Sequence, residues 1–486
     1  MEGINNIINN DLDKNSTFPE KKREPKQYTD ILKEILSKTH MVDFREKSDW
    51  DPEKPIPEKV YRVISIEELE KNCDNAGFGL GYYNNTPYIY TGEYWKPTDE
   101  KLFMNSFLLK TSLKMGVPQY TAKPAEYLKS LLEQAKSSIH KQKPENQEKL
   151  MINLLNGTYE FDHKKSKLRE FRKEDFMTYQ LPFEYDENAQ SPMFLKYLDE
   201  VLPDKSKQKV LAEFLGYIFM KKGNPHVKKL EKALFLYGGG ANGKSVIFEI
   251  INALLGKENI STIKLEDLAK ENFRAEIENK LLNYASEIGR TFDTSTFKTL
   301  ASGETVTARK LYNDPFNMEN YAKLMFNVNE LPITSDKTDG FYRRFLIIHF
   351  DQTIPKEKRD AELPNKIIEN ELSGVFNWIL EGMRRLYAQK DFTHSEAIES
   401  TLEMYKITSD NVSLFLDENE MKPCTENYEN GKELYSRYKD FCIQSGHRPL
   451  GSRNFYNRLE DLGFMKARKS EGTVFFIKGN KPEVIF

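Results

Sequence analysis

Cysteine is scarce. The 486-residue chain has three, Cys73, Cys424 and Cys442, far apart and with no CxxC pair. That argues against zinc ribbons and a disulfide framework and fits a reducing compartment. The seven histidines are scattered, each more readily structural or surface than a metal ligand. No apolar run reaches the roughly 20 residues that cross a bilayer. The N-terminal stretch MEGINNIINNDLDK is polar and acidic, unlike a secretory signal. The sequence therefore predicts no membrane partner and a cytoplasmic location. It has no internal repeat. Neither charge dominates: 72 Lys/Arg face 75 Asp/Glu, a net charge of −3. Global basicity does not mark a nucleic-acid binder, so any such site must be local.

Hydrophobic residues make up 38% and aromatics 12%, enough for real cores, and the length implies two or more domains. Residues 1–57 are polar, with Pro19, Pro25, Pro52, Pro55 and Pro57. There, 13–27 reads as a disordered linker and 28–37 as a short helix. Residues 58–145 read as a small α/β domain: a strand at 60–64, a helix at 65–72 and a hairpin around Asn84-Asn85. Tyr94 and Trp95 either pack or stack bases, and 123–141 is an amphipathic helix. Residues 146–224 hold a strand–turn–strand at 154–161 and two helices, 192–202 and 206–220. Residues 225–390 alternate β-type runs (233–237, 281–286, 323–328, 344–350) with helical patterns. This is the signature of an α/β fold with a mostly parallel sheet. Residues 391–430 form a helical linker, with one helical stretch at 393–416.

The stretch 233–256 reads ALFLYGGGANGKSVIFEIINALLG: a strand, a glycine loop, then an amphipathic helix. Gly238, Gly243, Lys244 and Ser245 meet G-x4-G-K-S, the phosphate-binding loop, in its required strand-to-helix context. Backbone N–H groups of Gly238, Gly239, Gly240, Ala241, Asn242, Gly243 and the following Lys244, Ser245 and Val246 would cradle the phosphates of a nucleoside triphosphate. Lys244 would reach the β- and γ-phosphates, and Ser245 would ligate Mg²⁺. Glu287, at the end of the 281–286 strand, would hold the metal through water and polarise the attacking water; otherwise it is a surface acid. Asn329, at the tip of the 323–328 strand, would contact the γ-phosphate, with Asn327 pointing the same way further down the strand. Arg343 and Arg344 form a pair that would supply an arginine finger to a neighbouring subunit, or else remain surface cations.

The last 56 residues, 431–486, carry eleven Lys/Arg and six Asp/Glu, a net +5. Helices at 433–442 and 452–462 precede a hairpin turning at 470–472, the pattern of a winged helix. Arg448, Arg453, Arg458, Arg468 and Lys469 would face DNA phosphates. The alternative is a protein-interaction module with a solvated basic face.

The motifs GGGANGKS, YASEIG, KTLASGETVTARKLYNDPFNME, KLMFNVNELP and DGFYRRF, in that order, resemble superfamily 3 helicases. The nearest group is the phage and plasmid primase–helicase type that includes the poxvirus primase–helicase. The resemblance covers about 150–486. It implies an AAA+-like P-loop NTPase core, a helical domain before it and a C-terminal winged helix. It makes Lys244 and Ser245 the Walker A pair, Glu287 the Walker B carboxylate, Asn329 the sensor and Arg343 or Arg344 the finger. It places Arg309 and Lys310, with Lys298, on a segment contacting the DNA backbone in a central channel. It further implies a ring, a hexamer, translocating 3′ to 5′ on single-stranded DNA, acting on origin DNA in a bacterial host or virus-infected cell. An ATP-switched initiator that melts or marks an origin is the alternative. Two departures stand out. Ile288 follows Glu287, so a single acid would serve metal and water. No pair of metal-binding acids in a strand-rich palm precedes residue 150, so no primase activity is expected in this chain; a separate primase or polymerase could supply it.

Overall fold

The computed structural model describes residues 27–83, 86–139, 150–162, 165–220, 229–286, 288–289, 292–311, 314–332 and 336–478. Most of the expected 13–27 linker lies outside them. The chain divides into two compact units.

The first comprises 1–146 with 155–158 and 169–180. It contains α1 (Tyr28–Lys38), α2 (Glu58–Asn75), β1 (Gly79–Tyr83), β2 (Thr86–Tyr90), β3 (Trp95–Pro97) and α3 (Ala125–Ser138). β1 and β2 form the expected hairpin, closing at the Tyr83–Thr86 pair; Asn84 and Asn85 lie outside the described residues. The strand expected at 60–64 is instead the first part of α2. Its β-branched run favours a strand locally, but Ile66, Leu69 and Cys73 are buried at helical spacing while Val63 is 39% exposed. Tertiary packing decides against local propensity. Tyr94 and Trp95 are core residues, 5% and 2% exposed. Trp95 packs on Phe176 at 5.4 Å, and its indole N–H donates to the Lys173 carbonyl at 2.8 Å.

The second unit begins its helical part with α4 (Pro192–Val201) and α5 (Lys205–Tyr217). The central layer then follows: β4 (Ala233–Tyr237), α6 (Lys244–Leu255), β5 (Ile260–Ser261), β6 (Leu282–Ala285), α7 (Thr294–Ala301), β7 (Val306–Ala308), β8 (Phe316–Met318), β9 (Lys323–Val328), α8 (Asp339–Tyr342) and β10 (Phe345–His349). Five strands form a sheet in the order β10-β4-β9-β6-β5, every neighbouring pair parallel. The apolar runs are buried on both faces, as a covered parallel sheet requires. β4 lies inside the sheet, so the loop after it opens at the carboxyl edge between β10 and β9, where open α/β sheets bind ligands.

α9 (Leu372–Gln389) packs along α5. There Glu213, fully buried, accepts from Arg385 Nε at 2.6 Å and from the Thr393 backbone N–H at 2.7 Å. The expected 393–416 helix is two, α10 (Glu396–Ser409) and α11 (Asn411–Glu418), broken at Asp410, whose carboxylate caps α11 by accepting from the Val412 N–H. The chain ends with β11 (Lys422–Asn430), α12 (Gly431–Gln444), α13 (Ser452–Asp461), β12 (Lys466–Lys469) and β13 (Gly472–Lys478). The sheet order β11-β13-β12 adds a third strand to the expected hairpin. The core of this segment joins Leu434, Tyr438, Phe455, Leu459 and Phe475 to Val412 and Phe415 of α11, so it reaches upstream of residue 431.

Candidate nucleotide site and basic surfaces

β4 delivers the chain to Gly238 at the sheet edge, where its N–H donates to the Val328 carbonyl at 3.1 Å. Two glycines are required here. A Cβ on Gly238 (φ +153°) would meet Asn242 Nδ2 and the Phe350 carbonyl at 2.4 Å. One on Gly243 (φ +87°) would meet Val201 Cγ1 at 2.8 Å and the Tyr197 hydroxyl at 2.9 Å. Gly239 and Gly240 face open space. The loop is braced from outside. Tyr197 donates to the Gly243 carbonyl at 2.6 Å, Asn242 Nδ2 to the Phe350 carbonyl at 3.3 Å, and the Ile354 N–H to the Ala241 carbonyl at 2.9 Å.

Lys244 opens α6 and is 7% exposed. Its ammonium donates to the carbonyls of Gly238 (2.6 Å) and Gly239 (2.9 Å) and to Asn242 Oδ1 (3.0 Å). No carboxylate pairs with it among the described residues, and burial holds its pKa below the usual lysine value. A desolvated cation within a glycine cradle at a helix N-terminus fits a polyphosphate. Ser245 is exposed beside it, and Val246 is half-buried.

β6 ends at Ala285, in register with Phe326 of β9; Glu287 lies outside the described residues. Val328 is level with Tyr237, so Asn329, exposed one residue beyond β9, stands beside the start of the glycine loop. Asn327 is buried and accepts from the Tyr284 hydroxyl at 2.9 Å, which separates the two asparagines. The arginines separate as well. Arg344, with its side chain 10% exposed, donates to Ser302 Oγ from Nε (3.0 Å) and Nη2 (2.7 Å) and to the Gly340 carbonyl. Arg343 is 63% exposed and reaches Glu231 at 2.9 Å.

β7 and β8 form an antiparallel hairpin through Val306–Met318, Thr307–Asn317 and Ala308–Phe316. Arg309 and Lys310 follow β7 and are exposed. Lys310 meets Glu278 at 3.0 Å, and Lys298 meets Asp336 at 2.7 Å. On the C-terminal segment Arg453 and Arg468 are exposed. Lys469 sits over the Tyr428 ring at 3.4 Å. Arg458, by contrast, donates from Nε to the buried Asp410 carboxylate at 2.7 Å, so an open phosphate-facing position does not describe it.

Sequence reasoning missed Tyr197, Glu231 and Asp410. Tyr197 shares an apolar helix face with Phe194, Leu198 and Val201 and reads only as core. The acids are 112 and 48 residues from their arginine partners, with no local signal.

Three family models match parts of the chain: "D5 N terminal like" over 82–203, a family of unknown function (DUF5906) over 236–344, and "Poxvirus D5 protein-like" over 407–486. Among curated proteins, "Putative helicase L207/L206" of Acanthamoeba polyphaga mimivirus is 27% identical over 168 residues, 32% of this chain and 16% of the relative. "Putative helicase 121R" of Invertebrate iridescent virus 3 is 21% identical over 356 residues, 64% of this chain and 37% of the relative. The matches thus span well under two thirds of either viral protein. Among solved structures, the apo C-terminal region of NrS-1 is similar with a TM-score of 0.48 at 14% identity, covering 85% of this chain and 98% of that one. A second apo structure of the same region gives 0.48 at 13%, covering 86% and 99%.

Proposed function

We propose, from the premise that this chain belongs to the D5-like primase–helicase family, that it is an ATP-driven DNA helicase of superfamily 3. It would act in replication of a viral, phage or plasmid element. The reading includes a P-loop core, a C-terminal winged helix and a homo-oligomeric ring, a hexamer, around single-stranded DNA. The observation that carries it is Lys244: a buried ammonium with only amide and carbonyl partners, within a loop whose Gly238 and Gly243 admit no side chain. Two relatives carry helicase names, which supports the choice among phosphate-loop enzymes.

In this mechanism Lys244 leaves the Gly238 and Gly239 carbonyls for the β- and γ-phosphates of ATP. The loop N–H groups, Gly238 to Val246, hold the remaining oxygens. Ser245 and Glu287 would hold Mg²⁺, which when bound neutralises phosphate charge. Glu287 accepts the proton of the attacking water, and Asn329 orients that water against the γ-phosphate. Arg343, the exposed member of its pair, stabilises transition-state charge in the neighbouring subunit's site. Arg309 and Lys310 carry the motion to the DNA backbone, with Lys298 behind them. Arg453, Arg468 and Lys469 hold duplex or origin DNA.

Strand displacement on a tailed duplex tests the proposal. The wild type unwinds with ATP and Mg²⁺, and Lys244→Ala does not. Equal unwinding by the variant contradicts it. ATP hydrolysis and DNA melting without displacement would identify an initiator instead.

A further inference from the structure

α13 has two faces. Phe455 and Leu459 are fully buried in the C-terminal core. Asn454, Asn457, Arg458 and Asp461 recur at i, i+3, i+4 and i+7, and line a cavity of about 550 Å³. Its facing wall is not part of the C-terminal sheet. It is the α10–α11 junction at Ser409 and Asp410, together with Lys337 from the loop before α8. Arg448 also lines it.

The charges in this cleft are unevenly matched. Arg458 is neutralised by Asp410. Asp336, the acid next to Lys337 in sequence, is occupied by Lys298. Lys337 donates to the Ser409 carbonyl, an uncharged partner, and burial lowers its pKa. Arg448 is exposed. Two cations therefore face the cleft across from one remaining acid, Asp461. Asn454 and Asn457 are exposed one turn apart, each offering donors and an acceptor. The volume falls in the roughly 300–1,000 Å³ range of ligand sites.

We infer that this cleft is a nucleic-acid site, holding a stretch of single phosphodiester strand between Lys337 and Arg448, with the Asn454 and Asn457 amides against sugar or base edges. It rests on the DNA-binding reading above and adds a contact shared by the C-terminal segment and the ATPase layer. Lys337 donates to the Ser409 carbonyl, and the Ser409 hydroxyl bonds the Tyr342 hydroxyl at 2.6 Å, which ties the cleft wall to α8.

The test is binding of a labelled single-stranded oligonucleotide to the full chain across a salt series. Lys337→Gln and Arg448→Gln each lower the log K–log salt slope by about 0.7, the loss of one phosphate contact on a single strand. Each also weakens binding severalfold at low salt. Asn454→Ala with Asn457→Ala weakens binding and leaves the slope unchanged. Lys337→Arg restores the slope, and melting temperatures check that each variant folds. If Arg468→Gln weakens binding while Lys337→Gln and Arg448→Gln match the wild type in affinity and slope, the cleft assignment is overturned and the DNA reading survives. If the wild type binds no oligonucleotide, the DNA reading itself falls.

Discussion

The hydroxyl of Tyr197, on α4, donates to the carbonyl of Gly243 at 2.6 Å. A helix that precedes the parallel sheet by some thirty residues thereby holds the turn on which Lys244 is mounted. Tyr197→Phe removes one of the hydrogen bonds this part-buried carbonyl accepts, the Val246 N–H remaining at 2.9 Å, at a cost of about 0.5–1.5 kcal/mol. We expect weaker ATP binding with a smaller change in the turnover of bound ATP. Titration with a fluorescent ATP analogue, alongside a melting curve, measures it. A lowered melting temperature with unchanged nucleotide affinity would show that the contact serves stability alone.

Gly243→Ala combines a left-handed backbone (φ +87°) with contacts under 3 Å to Val201 and Tyr197. Strain of this kind costs on the order of 1–3 kcal/mol, and the displaced loop should lose ATP binding. Gly240→Ala meets nothing within 4 Å and should bind ATP nearly as the wild type does. Equal losses in both would show that the loop tolerates no side chain anywhere.

Arg343 and Arg344 should fail differently. Arg344→Ala removes a buried guanidinium bonded to Ser302 and Gly340, so thermal stability falls by about 1.5–3 kcal/mol. Arg343→Ala removes an exposed group. It should melt like the wild type yet lose about a thousandfold or more in ATP turnover if it is a finger. Mixing Arg343→Ala with Lys244→Ala subunits should restore part of the activity, because each supplies what the other lacks. No recovery on mixing argues against a shared site.

Glu231 receives Arg343 at 2.9 Å, and Lys229 first, then the arginines, hold its carboxyl below the usual value near 4.5. A depressed folded pKa contributes stability above the unfolded value and loses it as pH falls through the folded one. Melting temperature should therefore drop below about pH 4.5 less steeply in Glu231→Gln than in the wild type. Parallel acid limbs would remove Glu231 from that titration.

Much of this was legible in the residues. Apolar runs broken by glycine and polar turns predict the parallel strands β4, β6, β9 and β10 to within a residue or two, because strands buried on both faces must be continuously apolar. The glycine loop is legible for the same local reason. The helix α2 is not, since its β-branched start favours a strand until the core it packs against is known. Nor is β11, KPCTENYEN, whose polar sequence pairs only because β13 offers an edge. The fates of Arg344, Arg458 and Asn327 depend on distant partners in Ser302, Asp410 and Tyr284, which no window of sequence contains.

The central claim is that the Lys244 loop hydrolyses ATP in service of DNA. Its most direct test is the ATPase rate of size-fractionated protein with and without single-stranded DNA. The account predicts that oligomeric fractions hydrolyse ATP and are stimulated by the strand, while monomers and Lys244→Ala are inactive. Hydrolysis confined to monomers, or indifferent to DNA, would contradict it.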